Sequence, residues 1–247
     1  MNSPAPALSV VIPIYNEQEN IEPLLKELDP VLAAIGTSFE IICVDDRSTD
    51  ESLQVLERMR KERPHLRILR HTINCGESAA GATGFSAARG AVIVTMDADL
   101  QHDPADIPRF LAAMGPDVAA VCGVRARRED NGVKRLSSRI ANWFRNAVTG
   151  DSISDAGCTL RAIRRDALAE MVVFNGMHRF LPTILRYQGY RVTEMTINHR
   201  PRIRGQSKYG INNRMWRGLR DCLAMRWYHQ RCLPAHRAAP ETPGAHA

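Results

Sequence analysis

No C-x-x-C pair occurs among the six cysteines (Cys43, Cys75, Cys122, Cys158, Cys222 and Cys232), which argues against a zinc module or a disulfide framework. Cys43 and Cys122 lie inside apolar, strand-like runs and read as small core residues. This usage fits a reducing cytosol. No stretch approaches the ~18 consecutive apolar residues of a membrane-spanning helix, so the chain is not expected to cross a bilayer by itself. Met1 to Pro6 has no basic region and no apolar segment, so no secretory signal is expected there. No G-x-x-x-x-G-K-S/T is present, which argues against a P-loop nucleoside triphosphatase. No G-x-G-x-x-G follows the first apolar run, and Gly76-Glu77-Ser78-Ala79-Ala80-Gly81 lacks that spacing, which argues against a dinucleotide-binding dehydrogenase. No internal repeat or linker interrupts residues 8 to 200.

What is present suits one sizeable α/β domain. The 247 residues are 44% hydrophobic and 24% charged, an ordinary globular balance. The net charge of +6 is unevenly spread: from Arg200 to Arg237, ten Lys/Arg stand against one acid, Asp221. Such a segment suits a surface that meets phosphates, nucleic acid or anionic lipid. Ala238 to Ala247 is rich in Pro and Ala and is expected to be disordered.

Short β-branched runs alternate with helical patterns. Strands are expected at Leu8–Ile14, Phe39–Val44, Leu66–Arg70, Ala91–Asp97 and Val118–Val124. Between them, Ile21, Leu24, Leu25, Leu28 and Leu32 recur at helical spacing, with Asn16 as a candidate cap and Pro23 and Pro30 predicting a short or kinked helix. Further helices are expected at Asp50–Glu62, Ser78–Arg89 and Pro104–Met114. This alternation predicts a Rossmann-like, mostly parallel sheet flanked by helices.

Ligands of such sheets bind beyond the carboxyl ends of the strands, and polar clusters fall at four of them. These are Tyr15-Asn16-Glu17, Asp45-Asp46, Asn74, and Asp97-Ala98-Asp99. Asp97 and Asp99, two apart where a strand ends, can converge on one hard cation, with Gln101 adding a neutral oxygen and His102 assisting. Adjacent Asp45 and Asp46 need donor-rich partners; a nucleobase N–H or a ribose hydroxyl would serve Asp46, while Ser48 and Asp50 can cap the next helix.

The motifs Val11-Ile12-Pro13-Ile14-Tyr15-Asn16-Glu17, Val44-Asp45-Asp46-Arg47-Ser48-Thr49-Asp50 and Asp97-Ala98-Asp99-Leu100-Gln101-His102-Asp103-Pro104 resemble family 2 glycosyltransferases of GT-A fold. The nearest resemblance is to the dolichol-phosphate mannosyltransferase and bacterial polyprenyl-phosphate glycosyltransferase branch. Asn74-x-Gly76, Arg125, the run Lys134 to Asn142, Asp155-Ala156-Gly157-Cys158 and Arg202-x-Arg204-Gly205-Gln206-Ser207-Lys208 extend it over residues 8 to 230. The resemblance implies that Pro13, Tyr15, Glu17 and Asp46 line the nucleoside pocket. It implies that Asp97, Asp99 and Gln101 hold Mg²⁺ or Mn²⁺ on the donor diphosphate, and that Arg125, Arg135, Arg202 and Lys208 bind phosphates. Arg127, Arg128 and Arg139 read as surface charges. Arg47 stands where the family usually has glycine, which puts the local turn in question.

The implied reaction is inverting transfer of a hexose from a nucleotide-sugar (UDP- or GDP-) to a polyprenyl phosphate at the cytoplasmic face of the inner membrane. The alternative is a saccharide or protein hydroxyl acceptor, with Asp155 as general base. An ionised phosphate acceptor needs no base, and a hydroxyl does. A catalytic domain over residues 1–210 is expected, then a basic amphipathic helix over 211–233 and a tail over 234–247. Trp216, Leu219, Leu223 and Trp227 form that helix's apolar stripe among Arg214, Arg217, Arg220, Arg226 and Arg231. The pattern suits a membrane surface, or packing on the domain or on a membrane-protein partner. No nucleic-acid motif accompanies the basic segment.

Overall fold

The computed structural model describes residues 5–125, 142–201 and 212–235. The chain forms β1 (Leu8–Ile14), α1 (Gln18–Ala34), β2 (Phe39–Asp45), α2 (Ser52–Arg60), β3 (Leu66–Arg70), α3 (Glu77–Ala87), β4 (Val92–Thr95), α4 (Ile107–Ala112) and β5 (Val118–Arg125). A helix over 142–149 (α5) follows, then β6 (Arg161–Arg164), α6 (Leu181–Tyr187), β7 (Arg191–Ile197) and α7 (Asn212–His229). The sheet order is β3-β2-β1-β4-β6-β5-β7. Six strands run in parallel register, and β6 is antiparallel to both β4 and β5. The fold class is the expected one, a GT-A-type mostly parallel sheet flanked by helices.

Each strand splits its side chains between two faces, which is why the runs read as continuously apolar. Val10, Ile12 and Ile14 join Ile41 and Cys43 under α1, α2 and α4. Val11, Ile42 and Val44 face the other way, under α3 and α6. A Cβ on Gly84 would lie 2.3 Å from Val11 Cγ1, so glycine there lets α3 seat directly on β1.

The two prolines predict a short or kinked α1, but it runs unbroken for 17 residues. Ile21, Leu24, Leu25, Leu28 and Leu32 are all at most 1% exposed. At ~1.5–3 kcal/mol per buried side chain, that stripe outweighs ~3 kcal/mol per interior proline. Glu17, not Asn16, stands at the cap position of α1. Strand β4 stops at Thr95, so Asp97 lies just beyond it.

Helix α7 shows which face of the basic segment packs. Cys222 and Met225 are buried with Met177, Phe180 and Ile184 of the domain, while Leu223 and Trp227 are 62% and 60% exposed. Of the predicted stripe, Leu223 and Trp227 therefore face outward and Leu219 is half-buried, while an adjacent face makes the domain contact. Among the described residues no helix is long and apolar enough to cross a membrane.

Candidate active site

The polar clusters gather along the carboxyl edge of the sheet, as the strand order demands. At the ends of β1 and β2 two loops are stitched together. Ser48 Oγ accepts from Asn16 N (3.0 Å), Ser52 Oγ from Glu17 N (2.8 Å), and Asn16 Oδ1 from Thr49 N (2.8 Å). Asp50 accepts from both Ser52 N and Gln18 N. One carboxylate thus caps the first amides of α1 and α2 together, a wider form of the expected capping. Asn16 and Arg47 both adopt positive φ, 54° and 62°. Pro13 is half-buried and Glu17 accepts from Asn20 Nδ2 (2.7 Å); Tyr15 is 36% exposed.

Asp46 is 3% exposed. Its carboxylate meets His71 Nδ1 (2.7 Å) and accepts from Cys75 N (2.8 Å) and Gly76 N (2.7 Å). Asn74 Nδ2 donates to the Asp46 carbonyl (3.0 Å). Asp46, expected at the nucleoside, and Asn74, the polar residue after β3, therefore bond to each other's segment, and together they fix the start of α3. Asp46, His71 and Cys75 bring their ligand atoms within 4.8 Å of one another. The His71 ring is already shared between Asp46 and Thr83 Oγ1 (2.9 Å), so the cluster reads as a hydrogen-bond relay.

Beyond β4 the backbone turns through Leu100 at φ 62°, and Asp99 Oδ1 accepts from Gln101 N (3.1 Å). Asp99 is 7% exposed and Asp97 half-buried. His102, 3% exposed, lies beneath them, its Nδ1 3.4 Å from Asp97 N. Gln101 turns its amide to the Arg200 carbonyl (3.3 Å), and Arg200 N donates to Gln101 O (2.8 Å). The backbone at Arg200 is thereby clamped to this loop. Two carboxylates and a side-chain amide, hard oxygen donors at one strand end, fit Mg²⁺ or Mn²⁺ completed by phosphate oxygens.

At the end of β5, Arg125 and Asp155 form a two-pronged pair: Nε to Oδ2 and Nη2 to Oδ1, both 2.7 Å. Asp155 Oδ2 also accepts from Arg125 N, and Oδ1 from Gly157 N. A Cβ on Gly157 would lie 2.8 Å from Arg125 Nη2, so glycine makes the cradle. Burial works against the Arg125 charge, but the hydrogen bonds and charge of Asp155, aided by Asp97, outweigh it and hold the guanidinium above its usual range.

Arg135, Arg202 and Lys208, with Arg127, Arg128 and Arg139, lie outside the described residues. Sequence reasoning passed over Ser78, His178 and Arg161. Together with Pro13, Glu77, Asp97 and Thr159 they line a cleft beside the strand ends. Ser78 Oγ accepts from Gly176 N (3.0 Å), so it can give its proton to His178 Nδ1 at 2.8 Å.

The Glycosyl transferase family 2 model matches residues 9–172. The undecaprenyl-phosphate 4-deoxy-4-formamido-L-arabinose transferase of Edwardsiella ictaluri is 36% identical over 83% of this chain and 63% of its own length. The enzyme of the same name from Klebsiella pneumoniae is 35% identical over 84% of this chain and 64% of its own. The chain thus spans less than two thirds of the length of these curated relatives. Glucosyl-3-phosphoglycerate synthase from Mycobacterium tuberculosis, solved with Mn²⁺ and UDP, superposes at TM-score 0.67 with 17% identity, over 93% of this chain and 81% of that one. A mannosyltransferase from Pyrobaculum calidifontis with GDP-Man and Mn²⁺ gives 0.61 with 21% identity, over 97% and 66%. At these identities the likeness establishes the fold.

Proposed function

The chain belongs to glycosyl transferase family 2, and from that premise we propose that it moves a hexose from a UDP- or GDP-sugar to a polyprenyl phosphate, with inversion and with Mg²⁺ or Mn²⁺. Pro13, Tyr15, Glu17, Asp46 and Asn74 form the nucleoside side. Asp97, Asp99 and Gln101 hold the cation, which supplies charge stabilisation to the departing nucleoside diphosphate. Arg125, with Arg135, Arg202 and Lys208, positions phosphates. The relatives' names supply the acceptor class, and the bound nucleotides of the structural neighbours supply the donor class.

The observation that carries the acceptor choice is the state of Asp155. The Asp155 carboxylate accepts both prongs of Arg125 and two backbone N–H groups, so its oxygens are already engaged by donors of the protein. It is suited to aiming Arg125, which is what an already ionised phosphate nucleophile requires. A hydroxyl nucleophile would need that carboxylate free.

The outward stripe of α7 suits contact with the cytoplasmic face of the inner membrane, where such an acceptor resides. Leu223 and Trp227 stand exposed beside Arg226, and Arg231 lies over the Trp227 ring at 5.7 Å. The chain then divides into a catalytic domain over 1–210, this helix over 211–233 and a tail over 234–247.

The test is a donor screen. Purified protein with Mn²⁺ is offered UDP-, GDP- and dTDP-sugars and a short polyprenyl phosphate, and glycolipid is quantified. Transfer to a saccharide but never to the lipid phosphate would overturn the acceptor assignment.

A further inference from the structure

Three described arginines are tucked into the domain near or behind the functional edge, and two of them have counter-ions. Arg125 has Asp155 at 2.7 Å, and Arg145 has Asp151 at 3.2 Å. Arg161 is 2% exposed, yet among the described residues no carboxylate lies within ion-pair distance of it. Its partners there are two backbone carbonyls, His178 O at 2.6 Å and Ala156 O at 3.4 Å, and its Nε meets no acceptor among them. Burying a cation without an anion costs several kcal/mol, and carbonyl dipoles offset only part of that.

The fold explains how this charge reaches the functional edge. Strand β6 is antiparallel to β4, with Arg161 opposite Thr95. The first residue of β6 therefore lies beside the last residue of β4, two positions before Asp97. Thr95 Oγ1 donates to the Thr159 carbonyl and closes this corner. Arg161 lines the same cleft as Pro13, Ser78, Asp97 and His178. Glu77, on that cleft too, turns its Oε2 to His178 Nε2 at 3.6 Å and is not within ion-pair distance of Arg161.

We propose that Arg161 is the fixed cation of a phosphate-receiving subsite: its missing counter-ion is supplied by a substrate phosphoryl group in the cleft. This deepens the nucleotide-sugar reading and rests on it for the identity of the phosphate, which belongs either to the donor diphosphate or to the acceptor monoester. In a low-dielectric wall the charge acts on that anion more strongly than a surface arginine would.

The test uses the full chain with Mn²⁺ and compares Arg161→Gln, which keeps N–H donors and loses the charge, with Arg161→Lys, which keeps the charge and loses the fork. Calorimetric titrations with UDP, GDP, uridine, guanosine and a short prenyl phosphate are read beside melting temperatures. The Gln variant should bind the phosphate-bearing ligand ~10-fold or more weakly, in keeping with a lost charged hydrogen bond. Nucleoside binding should stay within about twofold and the Lys variant within about threefold of wild type. A fall with UDP or GDP assigns the donor diphosphate; a fall with prenyl phosphate assigns the acceptor. Should the Gln variant not fold, Arg161→Met takes its place.

Unchanged phosphate affinity in the uncharged variant overturns the proposal. So do equal losses in Lys and Gln that track the melting temperature, since a clamp on two turns would then be its whole role. Wild-type protein that binds prenyl phosphate but no nucleoside diphosphate sinks the nucleotide-sugar reading, and the prenyl phosphate arm still decides Arg161. Wild-type protein that binds none of the probes overturns both.

Discussion

On the β2 side of the functional edge, Asp46 is buried against one imidazole and two backbone N–H groups. On the β5 side, Asp155 is buried against a guanidinium and two backbone N–H groups. Both carboxylates are satisfied, but by partners of different charge. The Asp46 cluster ties a loop to the start of α3, so it serves the nucleoside side by fixing that loop in place. The Asp155 pair sets a guanidinium directly against the carboxylate, so its work is electrostatic. Equal burial therefore does not mean equal role, and substitutions should separate the two sides by what they damage.

Between these sides stand Asp97 and Asp99, and the largest effect is expected there. Asp97→Ala or Asp99→Ala should cost at least ~10³-fold in transfer, as loss of a charge-stabilising group at the leaving diphosphate does. The melting temperature should hold for Asp97→Ala, a half-buried position, and fall slightly for Asp99→Ala, which also deletes the bond from Gln101 N. Full activity in EDTA would remove the cation from the scheme.

The next effect sharpens the contrast on the β5 side. Arg125→Met should lower transfer ~10²-fold, while Asp155→Asn should stay within ~10-fold of wild type at pH 7 to 8. A general base would reverse that order, since losing one costs ~10²–10⁴-fold. An Asp155→Asn enzyme that folds, binds donor and is inactive at every pH would return the hydroxyl acceptor to first place.

Behind the edge a third carboxylate, Asp151, combines both kinds of partner, and it should contribute to the acid limit of the fold. Burial opposes ionisation of Asp151, but the Thr183 hydroxyl, Ser152 N–H, Arg145 and Arg186 outweigh it and hold the carboxyl below its usual range. Burial likewise opposes Glu40, which Arg89 N–H, Arg67, Ser9 and the Arg89 side chain hold low. A folded-state pKa below the unfolded one contributes stability above the unfolded value, and that stability is lost as pH falls through the folded value. Thermal unfolding should therefore be flat above about pH 5 and fall steeply below about pH 4. Asp151→Asn should cost ~3 kcal/mol at pH 7, because Arg145 is left buried without a counter-ion, and should flatten that limb. An unchanged acid limb in this variant would shift the cause elsewhere.

Much of this was legible in the sequence, for physical reasons that also mark where reading stopped. Strands β1, β2 and β5 are apolar runs of seven or eight residues, and the four apolar residues of β4 run straight into an acidic cluster, so their period and their ends are visible together. Asp97 and Asp99 stand out in the sequence because two acids placed directly after such a strand repel each other unless a cation joins them. Strand β6 was not: it has four residues, with arginine at both ends around Ala162 and Ile163. Read alone, Arg161 is a surface charge, and only antiparallel pairing with β4 buries it. The inward turn of Asp46 was hidden for a similar reason, because its partners His71, Cys75 and Gly76 come from beyond the next helix and strand.

The smallest effect compares the two left-handed residues that face each other across the β1 and β2 loops. Asn16, φ 54°, tolerates that conformation, and its side chain holds Thr49. Arg47, φ 62°, is exposed and carries a side chain in a region that costs a non-glycine residue ~1–2 kcal/mol. Glycine would remove that strain and lose ~0.5–1 kcal/mol to chain entropy. Arg47→Gly should therefore stabilise the protein by ~0.5–1 kcal/mol, or about 1–3 °C in melting temperature for a chain of this size. Asn16→Gly, which deletes the bond to Thr49 N, should move it the other way by ~1 kcal/mol. Opposite signs at neighbouring positions with nearly equal φ would separate backbone strain from side-chain bonding. If Arg47→Gly destabilises the fold instead, the Arg47 side chain contributes more than its backbone costs. Nucleotide affinity of the same variant would then show whether that contribution is made to the ligand.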